Sequence, residues 1–173
     1  MDTVINTIKF KTPLGTMHAA ATEEGLCMLE FNGGERMDNE LNDLSLLLKA
    51  EIVEGDNHVL HETRTQIEEY FDKKRKEFTI PLITPGTEFQ RLVWSKLLEI
   101  PFGQTRSYKQ QSIAVGNLKA IRAVASANGA NRIAIIVPCH RIIGDNGSLI
   151  GYAGGLPKKQ WLLEHESGIG RLF

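Results

Sequence analysis

The sequence predicts a two-domain α/β protein, with an α/β domain over residues 1–83 and a mostly helical domain over residues 84–173. Three observations carry that expectation. Residues 4–31 alternate apolar and polar side chains in short runs, broken at Pro13-Leu14-Gly15, Glu23-Glu24-Gly25 and Asn32-Gly33-Gly34, which is the pattern of antiparallel strands. From Thr87 onward the apolar spacing becomes helical and is opened by two capping boxes. Charge also changes sign: residues 1–83 hold 9 Lys and Arg against 16 Asp and Glu (−7), and residues 84–173 hold 11 against 5 (+6). Thr84-Pro85-Gly86 combines turn residues with that change and marks the boundary.

In the first domain the three runs predict three antiparallel strands, with Cys27 packed as a structural thiol in the third. Arg36 to Ala50 predicts a helix around Leu41, Leu44, Leu47 and Leu48, followed by a short strand near Glu51-Ile52-Val53. Asp56 or Asn57 caps a second helix to about Asp72, with Leu60, Ile67 and Tyr70 on its apolar face. His58 and His61 lie three apart on it, but no third metal ligand is near. Lys73-Lys74-Arg75-Lys76 marks its solvated end, and Phe78 to Ile83 reads as a last strand.

In the second domain Thr87-x-x-Gln90 opens a helix with Phe89, Leu92, Val93, Leu97 and Ile100 on one face, ended by Pro101-Phe102-Gly103. Ser107-x-x-Gln110 opens a short helix to about Val115, and Gly116-Asn117 turns the chain into a third from Leu118 to Asn128. Two short helices joined so tightly suggest helix-turn-helix geometry. On the third, Leu118, Ile121 and Ala125 are expected to pack inward. Lys119, Arg122 and Ser126 share an outer face, with Ala123 and Ala127 beside them. Small side chains let such a helix approach a narrow surface while one arginine projects; a solvated amphipathic helix is the ordinary alternative. Asp145-Asn146-Gly147-Ser148 is a hairpin-turn signal, and Pro157 fits the first turn of a last helix running through Trp161 to Glu166.

Two cysteines exclude a disulfide framework and a cysteine-rich zinc site, and point to a reducing compartment. No run approaches the roughly 18 apolar residues of a membrane span, and the start lacks a basic flank, so a soluble, intracellular (cytoplasmic) protein is expected. No nucleotide-cofactor fingerprint or convincing metal cluster stands out, and neither a cofactor nor a metal is expected. The positive half is the candidate for a polyanion partner.

The chemistry concentrates in Ile135-Ile136-Val137-Pro138-Cys139-His140-Arg141-Ile142-Ile143-Gly144, where an apolar, β-prone run delivers a cysteine beside a histidine and an arginine. Pro138 stops that run from continuing as a central strand and puts Cys139 at a bend. Most buried thiols are inert packing. A neighbouring histidine and arginine, however, favour the thiolate, which is the nucleophile.

This segment resembles the active-site signature of the O6-alkylguanine-DNA alkyltransferases, also called methylated-DNA-protein-cysteine methyltransferases. The resemblance continues through Phe89-Gln90, Val93-Trp94, Ile100-Pro101, Gly103, Ser107-Tyr108, Arg122-Ala123-Val124, Asn128-Gly129, Asn131, Gly151-Tyr152-Ala153-Gly154-Gly155, Trp161-Leu162-Leu163 and Glu166. It implies a ribonuclease-H-like N-terminal α/β domain and a winged helix-turn-helix-like motif in the C-terminal one. It also implies DNA repair by direct reversal, in which Cys139 irreversibly takes the alkyl group of O6-alkylguanine.

Roles follow from the same resemblance. His140 accepts the thiol proton, Glu166 orients His140, Tyr108 donates to the leaving guanine, and Asn131 holds the loop around the thiol. Arg122 fills the gap left by a flipped nucleotide, with Lys119, Ala123, Ser126 and Ala127 on the DNA-binding helix. Ile142, Tyr152, Ala153 and Gly154 form the substrate pocket, where some relatives have serine at the Ala153 position. The implied partner is double-stranded DNA carrying O6-alkylguanine, with O4-alkylthymine left open, and the implied state is a monomer. Arg132 departs from the family's usual proline, which loosens the turn or adds a phosphate contact. A helix-turn-helix regulator with a structural cysteine and a Cys-His hydrolase are the competing readings, the latter without a separate oxyanion motif.

Overall fold

The computed structural model describes residues 3–168, which form two compact units dividing between Pro85 and Gly86. Unit 1 is built on a mixed four-stranded sheet ordered β3-β2-β1-β4, from β1 (Thr3–Thr12), β2 (Gly15–Ala21), β3 (Leu26–Glu30) and β4 (Ala50–Glu54). The first three strands are an antiparallel meander, whereas β4 joins β1 in parallel. That parallel pairing needs a crossover, which α1 (Glu35–Leu48) provides.

Alternation along the strands distributes the core. Ile5 and Ala20 share the face on which Leu44 of α1 packs with Cys27, Met28 and Ala50. Phe10, Met17, Ala19 and Ala21 fall on the alternate face and are also buried, with α2 (His58–Phe71) packed on β1, β2 and β3. Asn57 caps α2 by accepting from the Leu60 amide at 2.9 Å, a contact of about 1 kcal/mol, and its own amide ties the cap to Asn6 and Ala21. Cys27 is 1% exposed, and its thiol donates to the Ala20 carbonyl.

Two expectations for this unit change. Leu47 is 55% exposed, so the buried stripe of α1 is Leu44 flanked by Leu41 and Leu48. Phe78 to Ile83 is not a full strand. It touches the sheet through one parallel bridge, Leu26 to Leu82, because Pro81 has no N–H and can only accept from Leu26. His58 and His61 are both exposed on α2.

Unit 2 packs four helices, α3 (Glu88–Leu97), α4 (Tyr108–Ala114), α5 (Ile121–Gly129) and α6 (Leu156–Ser167), around an irregular buried segment. Both capping boxes form: Thr87 with Gln90 opens α3, and Ser107 with Gln110 opens α4. The buried face of α3 carries Val93, Trp94 and Leu97, while Leu92 is 39% exposed. A parallel pair of two-residue strands, β5 (Arg106–Ser107) and β6 (Ile142–Ile143), joins the start of α4 to the end of the cysteine segment.

Between α4 and α5 the residues Leu118–Ala120 form a 3-10 turn, so the second helix of the pair starts three residues later than the sequence suggests. That shift changes its phase. Val124, Ala127 and Asn128 face inward, whereas Leu118 and Ile121 are 50% and 37% exposed and Ala125 is exposed as well. Asp145–Ser148 does form a turn, with Gly144 and Ser148 bonded across it, although no hairpin strand follows. Among the described residues no helix is long and apolar enough to cross a membrane.

Candidate active site

Cys139 opens a 3-10 turn, Cys139–Arg141, at the end of a fully packed stretch. The preceding apolar residues are not a strand as their composition suggests. The Ile136 amide donates to the Ala134 carbonyl at 2.8 Å and Val137 to Ile133 at 3.2 Å, and buried Ile135 takes φ +69°. A β-branched residue in the left-handed region is strained, by about 1–3 kcal/mol, and persists only where surroundings dictate it. Asn131 is one such constraint: Oδ1 accepts from the Ile133 amide at 2.9 Å, and Nδ2 donates to the carbonyls of Ile133 at 3.1 Å and Val137 at 2.9 Å. The Asn131 side chain thus closes the turn with Arg132 in the proline's place.

His140 is wholly buried, and its Nε2 lies 2.7 Å from Glu166 Oε2. Arg141, also buried, donates from Nε to Glu166 Oε1 at 2.8 Å, from a terminal nitrogen to Oε2 at 3.1 Å, and from the other to the Ile100 carbonyl at 2.7 Å. The Gly103 amide approaches Glu166 Oε1 at 3.5 Å. Gly103 has φ +81°, and a Cβ there would come within 3.2 Å of the Glu166 carbonyl, so the approach requires glycine.

Electrostatics follow from this packing. Burial opposes ionisation of Glu166, but His140 and the two-point Arg141 contact outweigh it and hold the carboxyl well below the usual range. Burial pushes His140 down, against the pull of Glu166 and with help from Arg141 and Lys159. With the imidazole neutral, the permanent charge of Arg141 keeps Glu166 ionised. A carboxylate at Nε2 assigns the proton there and leaves Nδ1 as the acceptor; Nδ1 is buried without a hydrogen-bond partner among the described residues.

Cys139 opens onto a cavity of about 100 Å³ lined by Tyr108, Ala125, Asn128, Gly129, Asn131, Gly151, Tyr152 and Ala153. Larger hollows lie in unit 1, about 510 Å³ beside Glu23 and Glu24 and about 650 Å³ over Asn57 and His61, but no thiol lines them. The Tyr108 hydroxyl donates to the Ile150 carbonyl at 3.3 Å. Burial, then the charge of Cys139, push its phenol up, while Asn128 pulls the other way. Gly151 sits so close that a Cβ would lie 3.3 Å from the hydroxyl, and its φ is +63°.

Lys159 reaches in from α6. Its side chain is fully buried, and Nζ donates to the carbonyls of Ile150 at 2.9 Å and Gly151 at 3.2 Å. Burial pushes Lys159 down to about 8 against the attraction of Cys139.

The structure gathers Cys139, Tyr108, Asn131, Tyr152 and Ala153 around one cavity and sets His140 and Glu166 behind the thiol turn. Ile142 is buried in β6 and Gly154 is half-buried; neither lines the cavity. Arg122, Ala123 and Ser126 are exposed on α5, and Lys119 on the turn before it. Ala127 is not on that outer face: it is 3% exposed, and its carbonyl accepts from the Trp94 indole at 2.9 Å. Arg122, Ala125, Ser126 and Gly129 recur at helical spacing, so the arginine shares its face with two residues of the cavity wall.

Three contributors escaped the sequence reading. Asn128 fell within the resembling stretch but was given no role, Lys159 had no motif to announce one, and Arg141, expected beside the thiol, grips Glu166 instead.

Comparison with known proteins accords with this geometry. Residues 88–168 match the family described as "6-O-methylguanine DNA methyltransferase, DNA binding domain", and residues 5–84 match its "ribonuclease-like domain". A methylated-DNA–protein-cysteine methyltransferase of Methanosarcina acetivorans is 42% identical over 160 residues, covering 91% of this chain and 95% of that one. A constitutive Bacillus subtilis protein of the same name is 41% identical over 157 residues, covering 90% and 92%. The crystal structure of Mycobacterium tuberculosis O6-methylguanine methyltransferase superposes with a TM-score of 0.78 at 36% identity, covering 99% of this chain and 95% of that chain. The Mycobacterium tuberculosis protein in complex with DNA gives 0.80 at 36% identity, covering 95% and 94%. With both halves matched and full-length relatives above 40% identity, the chain belongs to the 6-O-methylguanine DNA methyltransferase family.

Proposed function

We propose that this protein repairs DNA by direct reversal, moving the alkyl group of O6-alkylguanine onto Cys139 in a single irreversible turn. One observation carries the reading: a thiol opens onto a cavity, and the next residue in the chain is a neutral histidine whose Nε2 is anchored to a buried, ionised carboxylate. That arrangement suits proton removal from a thiol and nucleophilic attack by sulfur.

Glu166 holds the Nε2 proton of His140, so Nδ1 takes the thiol proton through an intervening water. Sulfur then attacks the saturated carbon, forming S–C as C–O6 breaks. Negative charge collects on the departing guanine, and the Tyr108 hydroxyl supplies its proton. Burial and the thiolate charge keep that phenol protonated until the guanine leaves. Those two transfers leave an imidazolium at His140 and a phenolate at Tyr108. Return of the imidazolium proton to the phenolate through solvent restores both groups, so the net proton movement is from thiol to guanine, and nothing is oxidised. The buried Lys159 ammonium lends positive charge to the same cavity.

DNA is the partner, as in the complex of the Mycobacterium tuberculosis relative with DNA. Arg122 enters the duplex and occupies the place of the flipped nucleotide, which offsets a few kcal/mol of lost stacking. Lys119, Ala123 and Ser126 contact the backbone around it. The main chain at Tyr152 and Ala153, on the cavity wall, reads the base edge, with Ala153 offering its amide alone. A cavity of about 100 Å³ falls well short of the roughly 300–1,000 Å³ of ligand pockets, so base entry displaces the 151–154 segment.

The test is to incubate the protein with duplex DNA containing O6-methylguanine and weigh it intact. One methyl group on the peptide carrying Cys139, with guanine recovery levelling at one equivalent, supports the proposal. No mass change, or continuing turnover, refutes it.

A further inference from the structure

We infer that Asn128 positions Tyr108 for the reaction: its carboxamide holds the phenol oxygen and supports the negative charge gathered there as the proton passes to the departing base. This rests on the alkyl-transfer reading and adds a residue to it.

Asn128 is 5% exposed near the end of α5 and lines the thiol cavity. The residue before it is pinned by the Trp94 indole, so this turn of the helix is fixed. Asn128 Nδ2 donates to the Cys139 carbonyl at 3.5 Å, and the carboxamide lines the same cavity of about 100 Å³ as the Tyr108 phenol, whose ionised form it favours. Its Oδ1 is buried with no hydrogen-bond partner among the described residues. A position serving packing alone would avoid that loss with an apolar residue of similar size. The amide instead turns its N–H side to the thiol turn, on the wall of the cavity that the phenol shares. The hydroxyl's hydrogen bond to the Ile150 carbonyl, at 3.3 Å, is long for a hydroxyl bond, and a carbonyl can only accept, so it offers nothing to a phenolate. Asn128 therefore supplies the donor that the phenol needs at the moment it gives up its proton.

The experiment compares wild type, Asn128→Ala, the shape-keeping Asn128→Leu, Tyr108→Phe and the Asn128→Ala/Tyr108→Phe double variant, after thermal melts establish which are folded. Two rates are read for Cys139: single-turnover methyl transfer from O6-methylguanine duplex, and alkylation by iodoacetamide, whose iodide leaves without a proton. Loss of a hydrogen bond to a charged group predicts methyl transfer slowed on the order of 10-fold in both Asn128 variants, with the iodoacetamide rate unchanged. The double variant is expected to be no slower than Tyr108→Phe alone.

A parallel fall in both rates would overturn the inference, because Asn128 would then serve the thiol turn. Independent, multiplying losses in the double variant would overturn it too. Wild-type protein that takes iodoacetamide on Cys139 but no methyl group from DNA would refute the repair reading itself, and this inference with it.

Discussion

Replacing Arg141 by methionine removes the permanent cation from a carboxylate that is 1% exposed, and the consequence can be sized from the contacts. Glu166 loses two charge-assisted bonds, at 2.8 and 3.1 Å, and the Ile100 carbonyl loses its partner at 2.7 Å. Breaking one side of a buried ion pair costs about 3–5 kcal/mol, because the remaining charge stays buried and uncompensated. For a unit of this size roughly 4–8 °C of melting temperature accompany each kcal/mol, so melting should fall by more than about 12 °C.

The pH dependence follows with a definite sign. Glu166 is depressed from its ordinary 4.5, so its contribution is present above that pH and is lost as pH falls through the folded value. Arg141→Met should weaken that acid limb. Adding Glu166→Gln keeps an acceptor for His140 while removing the charge, so the double variant should recover much of the lost stability and remain impaired in alkyl transfer. Urea unfolding from pH 3 to 7 measures both effects. A single-variant loss below about 1 kcal/mol, typical of an exposed pair, or a double variant as unstable as the sum of the singles, would refute the buried-clamp argument.

Cys139→Ala should abolish alkyl uptake while leaving DNA binding, whereas Cys27→Ala should leave uptake intact and lower only the melting temperature; intact mass and calorimetry separate the two. Arg122→Ala should slow transfer from duplex steeply and from free O6-alkylguanine base little, since the free base needs no flipping, and equal losses would place the arginine's role in the active site. Lys119→Ala should weaken binding to damaged and undamaged duplex alike and flatten its salt dependence. In unit 1, burial and then neighbouring Glu40 push Glu30 up to about 8 from 4.5, against Arg36, so its contribution is full below pH 4.5 and is lost as pH rises through 8. Glu30→Gln should remove that decline in a pH series of thermal melts, and an unchanged slope would count against the assignment.

What could be read from the sequence was local or carried by a motif. Each capping box pairs side chains three residues apart, and Asn57 caps its own helix, so no distant contact was needed to find them. Cys139, His140 and Arg141 adjoin in the chain, although only the fold reveals that Arg141 turns to Glu166. The α5 face was misphased because a 3-10 turn advances the chain with three residues per turn before the helix begins. Lys159 was invisible because the buried face of α6 reads Lys159, Leu162, Leu163 and Glu166, placing charges where periodicity expects apolar side chains. The 133–137 run has strand composition, yet Asn131 and the left-handed Ile135 fold it into turns.

The grip of Arg141 on Glu166 also sets an order on biosynthesis. Every element of unit 1 lies before Pro85, so its sheet and helices can assemble while the remainder is still being translated. Unit 2 differs, because its buried guanidinium and imidazole receive their anion only when α6 has emerged from the ribosome. Until then the nascent thiol turn holds an unmatched cation in an apolar setting and resists closing. The thiol turn is therefore completed only after α6 has been made, and a chain interrupted before α6 leaves its guanidinium without the carboxylate.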